Sequence, residues 1–254
     1  MKTLAPVNGF SFSRFIQLCR RTLALNQRTW LIGFAAVAGF IITIWILPVL
    51  LSQSTRNVVH FRDLLSTAFF FYTLGGLLLT SAIFNELHTP ATAFRPLTLP
   101  ATSLEKFISA WIISMPLFTI ASILALFILS LLIETISASM IGTYANFELF
   151  NPLGAESIDI FLRYFFLNSL FLLGAVYFKK NNFLKTALTL VVIFITLVTV
   201  STFAMFLFIG YGESYFIEVH NIQNYELIYR MVWAAISLGS LAAGYLILKK
   251  RQIV

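Results

Sequence analysis

Charged side chains are scarce in this sequence: 11% of 254 residues are Asp, Glu, Lys or Arg, against 59% apolar. A soluble domain carries about 25% charged residues, so an ordinary globular protein is excluded. A single cysteine, Cys19, rules out an intrachain disulfide framework and any multi-thiolate metal or redox centre. Three histidines, at 60, 88 and 220, leave little for zinc. The regular short alternation of an outer-membrane barrel strand is missing too, because the apolar residues come in unbroken runs of about 20 or more.

What is present is a set of six such runs, each long enough to cross a hydrocarbon core about 30 Å thick. They cover about 30–51, 64–84, 107–133, 158–178, 183–210 and 231–248. The fold class expected is therefore an all-α integral membrane protein of one transmembrane domain. The N-terminal stretch begins polar and has no short apolar run ending in small residues, so it does not read as a removable signal.

Thirteen of the seventeen Lys and Arg fall on one side of these spans, while the other side carries Arg56, Arg62, Arg163 and Arg230 with eight of the ten acids. The positive-inside rule then predicts both termini in the cytoplasm. Topology accounts for the net charge of +7 without a nucleic-acid partner. Ahead of the first span, residues 11–28 form an amphipathic helix when wound at 100° per residue. Phe12, Phe15, Ile16, Cys19 and Leu23 share one face, and Arg14, Arg21 and Arg28 lie opposite. Such a segment is expected to lie along the headgroup layer, in contact with membrane lipid.

Catalytic patterns are lacking. Gly239 to Gly244 has the glycine spacing of a phosphate loop, but Tyr245 stands where Lys is required, within a span. Ser103-Leu104-Glu105-Lys106 matches S-x-x-K without its partner motifs, and Thr102 with Glu105 reads instead as a capping box opening the third span. No enzyme activity, cofactor or metal is expected. The middles of the spans hold no Asp, Glu, His, Lys or Arg, so an ion gradient has no titrating group there to act on, and energy for transport would come from another chain. Asp159 and Arg163, four apart, are expected to pair near the end of span four. Small residues (Ala35, Gly39, Gly75, Gly76, Gly239, Ser240, Ala243 and Gly244) offer faces for close helix approach. The threonines of span five either line a passage or bond their own helix. Pro48 and Pro116 are expected to kink or end helical turns.

The segment between spans two and three, residues 85–106, ends in Leu99-Pro100-Ala101-Thr102 followed by Glu105-Lys106-Phe107. It resembles the leucine-proline-alanine-serine and glutamate-lysine-phenylalanine stretches of membrane subunits of ATP-binding-cassette (ABC) exporters of the type V fold, particularly Bacteroidota permeases. Thr102 replaces the serine and keeps its capping hydroxyl. The resemblance implies a bacterial inner-membrane permease subunit, paired with a separate ABC ATPase and a second permease copy as a homodimer. It also implies that the 85–106 loop holds the coupling helix, with Asn85, Glu86, Leu87, His88, Phe94 and Arg95 as contacts to the ATPase. A short re-entrant element before the last span is common in that family, whereas 211–230 here is polar. The alternative reading is a non-transporting membrane scaffold or sensor. The apolar spans favour a lipidic or amphipathic passenger over a small ion.

Overall fold

The computed structural model describes residues 9–51, 61–84, 101–141, 150–209 and 222–253. Every regular element among them is helical: α1 (Phe12–Leu51), α2 (Phe61–Ala82), α3 (Ser103–Ile112), a π-helical turn (Ile113–Leu117), α4 (Phe118–Ile141), α5 (Ala155–Tyr177), α6 (Asn182–Ile209) and α7 (Ile222–Ile253). With α3, the π turn and α4 taken as one rod, six helices are long and apolar enough to cross a membrane. This is a multi-pass membrane protein.

The third rod and α7 run past the expected spans, to Ile141 and back to Ile222, and the largest difference from the sequence expectation is at α1. The amphipathic segment 11–28 and the span 30–51 are a single helix of 40 residues, about 60 Å long at 1.5 Å per residue. Ala24, Leu25, Asn26, Gln27, Arg28 and Thr29, which join the two parts, include neither Gly nor Pro, so nothing in the backbone stops the helix there. Pro48 does not end it either, since α1 runs on to Leu51.

The rods alternate in direction. At one end, Phe84, Phe107, Ala110, Leu172, Ala175, Val176 and Leu248 form a buried cluster, which gathers the end of α2, the start of α3 and the ends of α5 and α7. Ser11 and Arg14, at the start of α1, bond Glu105 at that same end. The two ends of the described chain therefore share one face of the bundle, as an even number of crossings requires. Arg14, Lys106, Lys179, Lys180, Lys249 and Lys250 gather there too, because each lies at or near an element end on that face, and Arg21 lines a cavity with Lys106.

Helix α5 is the centre of the bundle. It packs on α2, α6 and α7, and Tyr164, Asn168, Leu172 and Ala175 along it are fully buried. Two glycines let neighbours come close. A Cβ on Gly76 would overlap the Tyr164 ring, and one on Gly174 would overlap Thr186 of α6. Lipid tails are as apolar as leucine, so contact of this kind rather than oil-water partition holds spans together. At the periphery, no residue of α6 from Leu190 to Leu207 is buried.

Candidate functional site

Two polar constellations stand out in this apolar bundle, one at the basic end and one inside it.

The first is built on Glu105. Thr102, in extended conformation, accepts the Glu105 amide on its hydroxyl at 3.2 Å, and Glu105 Oε2 accepts the Thr102 amide at 2.8 Å. Both halves of the expected capping box are present. The other carboxylate oxygen, Oε1, turns outward to α1. It accepts the Ser11 amide at 2.6 Å and Arg14 Nε and Nη2 at 3.2 and 3.0 Å. Ser11 is the residue from which α1 starts, its carbonyl receiving the Phe15 amide. One carboxylate thus lies at the N-termini of two helices, where amide dipoles favour negative charge, and opposite a guanidinium. The Glu105 side chain has no solvent exposure. Its water is replaced by three backbone and guanidinium partners and its own cap, which is what a buried charge needs. Arg14 adds a bond from Nη2 to the Gly9 carbonyl at 2.6 Å.

The two residues after Glu105 act differently. Lys106 lines a cavity of about 150 Å³ between α1, the end of α2 and α3. Phe107 is buried, edge-on to Tyr245 with ring centroids 6.1 Å apart, and lies against Gly244. Glu105-Lys106-Phe107 therefore ties α1, faces a cavity and anchors α3 on α7 in turn. The residues expected to meet an ATPase, namely Asn85, Glu86, Leu87, His88, Phe94 and Arg95, lie outside the described residues, as do Leu99 and Pro100.

The second constellation starts from Pro116. Proline has no N–H, so within an α-helix the carbonyl four residues earlier loses its donor. The chain answers with a π turn over Ile113–Leu117. The Phe118 amide then reaches Ile113 O and Met115 O and passes over Ser114 O, its ordinary α-helical acceptor. Ser114 O accepts Tyr164 Oη at 2.6 Å instead, with Asn168 Nδ2 at 3.4 Å. Asn168 Nδ2 also donates to Thr80 Oγ1 at 2.6 Å, and Thr80 donates to Gly76 O at 2.7 Å. Next to this chain Tyr72 shares a hydrogen bond with Thr119 at 2.9 Å, its ring 4.7 Å from that of Tyr164. Asn168 Oδ1 and Ser81 Oγ are buried and unpartnered. The cluster joins α2, α5 and the π turn with uncharged groups only.

Sequence reasoning missed this cluster. The available signals were Asn168 inside an apolar run one helical turn after Tyr164, and a proline in the middle of span three. Of the other sequence expectations, Asp159 and Arg163 pair at 2.6 Å on α5. Thr189, Thr196 and Thr199 each bond a carbonyl of their own helix four residues back. Gly239 to Gly244 lies wholly within α7. Among the described residues no group of three His, Cys, Asp or Glu is placed to hold a metal ion.

No family profile, curated protein or solved structure matches this chain.

Proposed function

We propose that this chain is the membrane-spanning permease subunit of an ATP-driven ABC exporter of the type V kind, working in a bacterial inner membrane as a homodimer with separate ATPase subunits. Its termini and its 85–106 loop face the cytoplasm in this reading, as the basic end of the bundle favours. The observation that carries it is the tie of Glu105 to Ser11 and Arg14, because it fastens the end of the candidate coupling loop to the front of α1. A displacement applied to the loop by ATPase closure would move α1 and the third rod together. The π turn and its hydrogen-bonded link to α5 would pass that displacement inward as a rigid-body shift of packed helices. The chain does no covalent chemistry in this scheme. Its passenger would be lipidic or amphipathic.

The test is co-purification in mild detergent followed by reconstitution with the ATPase that comes down with it. Reversing the charges of Glu86 and Arg95 is expected to lower transport-coupled ATP hydrolysis while the bundle stays folded. Recovery with no stoichiometric ATPase, or coupling unchanged by the reversal, would favour the scaffold reading.

A further inference from the structure

The third rod changes its inward face at the π turn. Carried on at helical spacing, the buried side of α3, with Phe107, Ala110 and Ser114, would arrive at Ala121, Ile128 and Leu132, and all three are exposed. Ser122, Leu129 and Ile133, one residue further on, are buried instead. The π turn Ile113–Leu117 takes in that extra residue, so α4 sits about 100° from where an unbroken α-helix would put it. The observed rod and an unbroken one each leave one carbonyl without its amide. In the observed register it is Ser114 O, which the Phe118 amide passes over. In an unbroken α-helix the Phe118 amide returns to Ser114 O, and Ile112 O is left, since Pro116 has no N–H to give it. Tyr164 tips the balance, because its hydroxyl donates to Ser114 O at 2.6 Å. Thr119 gives its own proton to Met115 O at 2.7 Å, so Tyr72 is the donor in their 2.9 Å bond and holds the first turn of α4 from a second helix.

We infer that the third rod is a two-register switch, latched in its π register by the hydroxyls of Tyr164 and Tyr72. Between Ile120 and Ile133, α4 is apolar on both sides. Ile120, Leu124, Phe127, Ile128 and Leu132 are exposed, while Leu129 and Ile133 are buried. Lipid and protein interior offer these side chains the same apolar surroundings, so a turn of the helix meets no hydrophobic penalty. The observed register also keeps Ser122 Oγ buried without a partner. Release of the latch turns α4 by one residue: Ala121, Ile128 and Leu132 take the places of Ser122, Leu129 and Ile133, and the bundle interior exchanges a hydroxyl for a methyl group. Upstream, α3 stays anchored through Glu105 on α1 and Phe107 on α7. The switch is a property of the bundle alone and holds whether the chain exports or scaffolds.

The experiment uses the full chain in lipid vesicles, with Cys19→Ser removing the native thiol. A bifunctional maleimide then tests Ile41→Cys on α1 paired in turn with Leu129→Cys, Ile128→Cys or Phe127→Cys on α4. Leu129 shares a buried cluster with Ile41, so its pair should link in the parent and the Ile128 pair hardly at all. Tyr164→Phe should raise the ratio of the Ile128 product to the Leu129 product roughly tenfold, as the loss of one buried hydrogen bond does. Pro116→Ala, which gives Ile112 O its amide back, should raise the ratio by a similar factor with Tyr164 untouched. The Phe127 pair should stay unlinked throughout, because that position faces away from α1 in either register. An unchanged ratio in either variant would overturn the switch. So would a rise at Phe127 equal to that at Ile128, which is loosening of the helix rather than turning. Should Tyr164→Phe be recovered poorly, Pro116→Ala decides alone, since alanine restores a hydrogen bond and favours the helix.

Discussion

Tyr164 and Ser114 are joined by a hydrogen bond from a phenolic hydroxyl to a backbone carbonyl, 2.6 Å long, which exists because the Phe118 amide has turned to Ile113 and Met115. A proline on one helix has thereby created an acceptor for a side chain on another. Removing that donor leaves the carbonyl in an apolar interior with only the longer bond from Asn168 Nδ2, and an under-satisfied buried acceptor costs about 1–3 kcal/mol. Tyr164→Phe should lower the thermal midpoint in detergent by several degrees. Asn168→Leu should cost less, because Asn168 already has an unsatisfied Oδ1 that the substitution removes. A larger loss for Asn168→Leu than for Tyr164→Phe would contradict this ordering.

Glycine substitutions separate packing from propensity. A methyl group on Gly76 meets the Tyr164 ring, whereas one on Gly39 or Gly239 meets nothing within 4 Å. Gly76→Ala should destabilise by about 1–3 kcal/mol through overpacking. Gly39→Ala and Gly239→Ala should be neutral or stabilise by up to about 1 kcal/mol, as alanine favours the helix. Thermal unfolding of the three variants in one detergent checks the contrast.

At the basic end, Glu105→Ala removes one half of the capping box, the acceptor of the Thr102 amide, and the partner of Arg14. Breaking a fully buried pair costs about 3–5 kcal/mol. Arg14 keeps 30% of its side chain exposed, so a loss nearer 2 kcal/mol is expected. Limited proteolysis should show cleavage near residues 9–30 well before the rest of the chain is cut. Exchanging the two charges, Arg14→Glu with Glu105→Arg, should not rescue the protein, because an arginine cannot accept the Thr102 amide. Full rescue would mean that the charge pair alone matters.

The Asp159–Arg163 pair is the counterexample. It lies along one helix with both side chains exposed, 38% and 61% respectively. Such pairs are worth about 0.3–0.5 kcal/mol. Asp159→Asn should leave the thermal midpoint within a degree or two of the parent.

How much of this was legible beforehand depends on the range of each interaction. The six apolar runs and the Thr102–Glu105 box are local signals, three residues to about twenty-five long, and all appear as expected. The Asp159–Arg163 pair is equally local. The continuity of α1 follows from the lack of any breaker between Leu23 and Trp30, but amphipathic and uniformly apolar patterns read as two elements when judged by hydropathy. The second use of Glu105 was hidden, since its partner Arg14 lies 91 residues away and belonged to a different amphipathic pattern. The Ser114–Tyr164–Asn168–Thr80 cluster was hidden for the same reason. Pro116 indicates that a carbonyl is freed, but only the packed helices determine which hydroxyl fills it. Asn85 to Arg95, the residues assigned to the ATPase, lie outside the described residues.

The Arg14–Glu105 tie also constrains biogenesis. A ribosome releases Arg14 long before it has polymerised Glu105, and α2 must already be threaded by the time the carboxylate emerges. During that interval the guanidinium lacks its carboxylate partner. The start of α1 is therefore fastened late, after the third rod begins, so a nascent chain halted before that point would lack the tie between Ser11, Arg14 and Glu105.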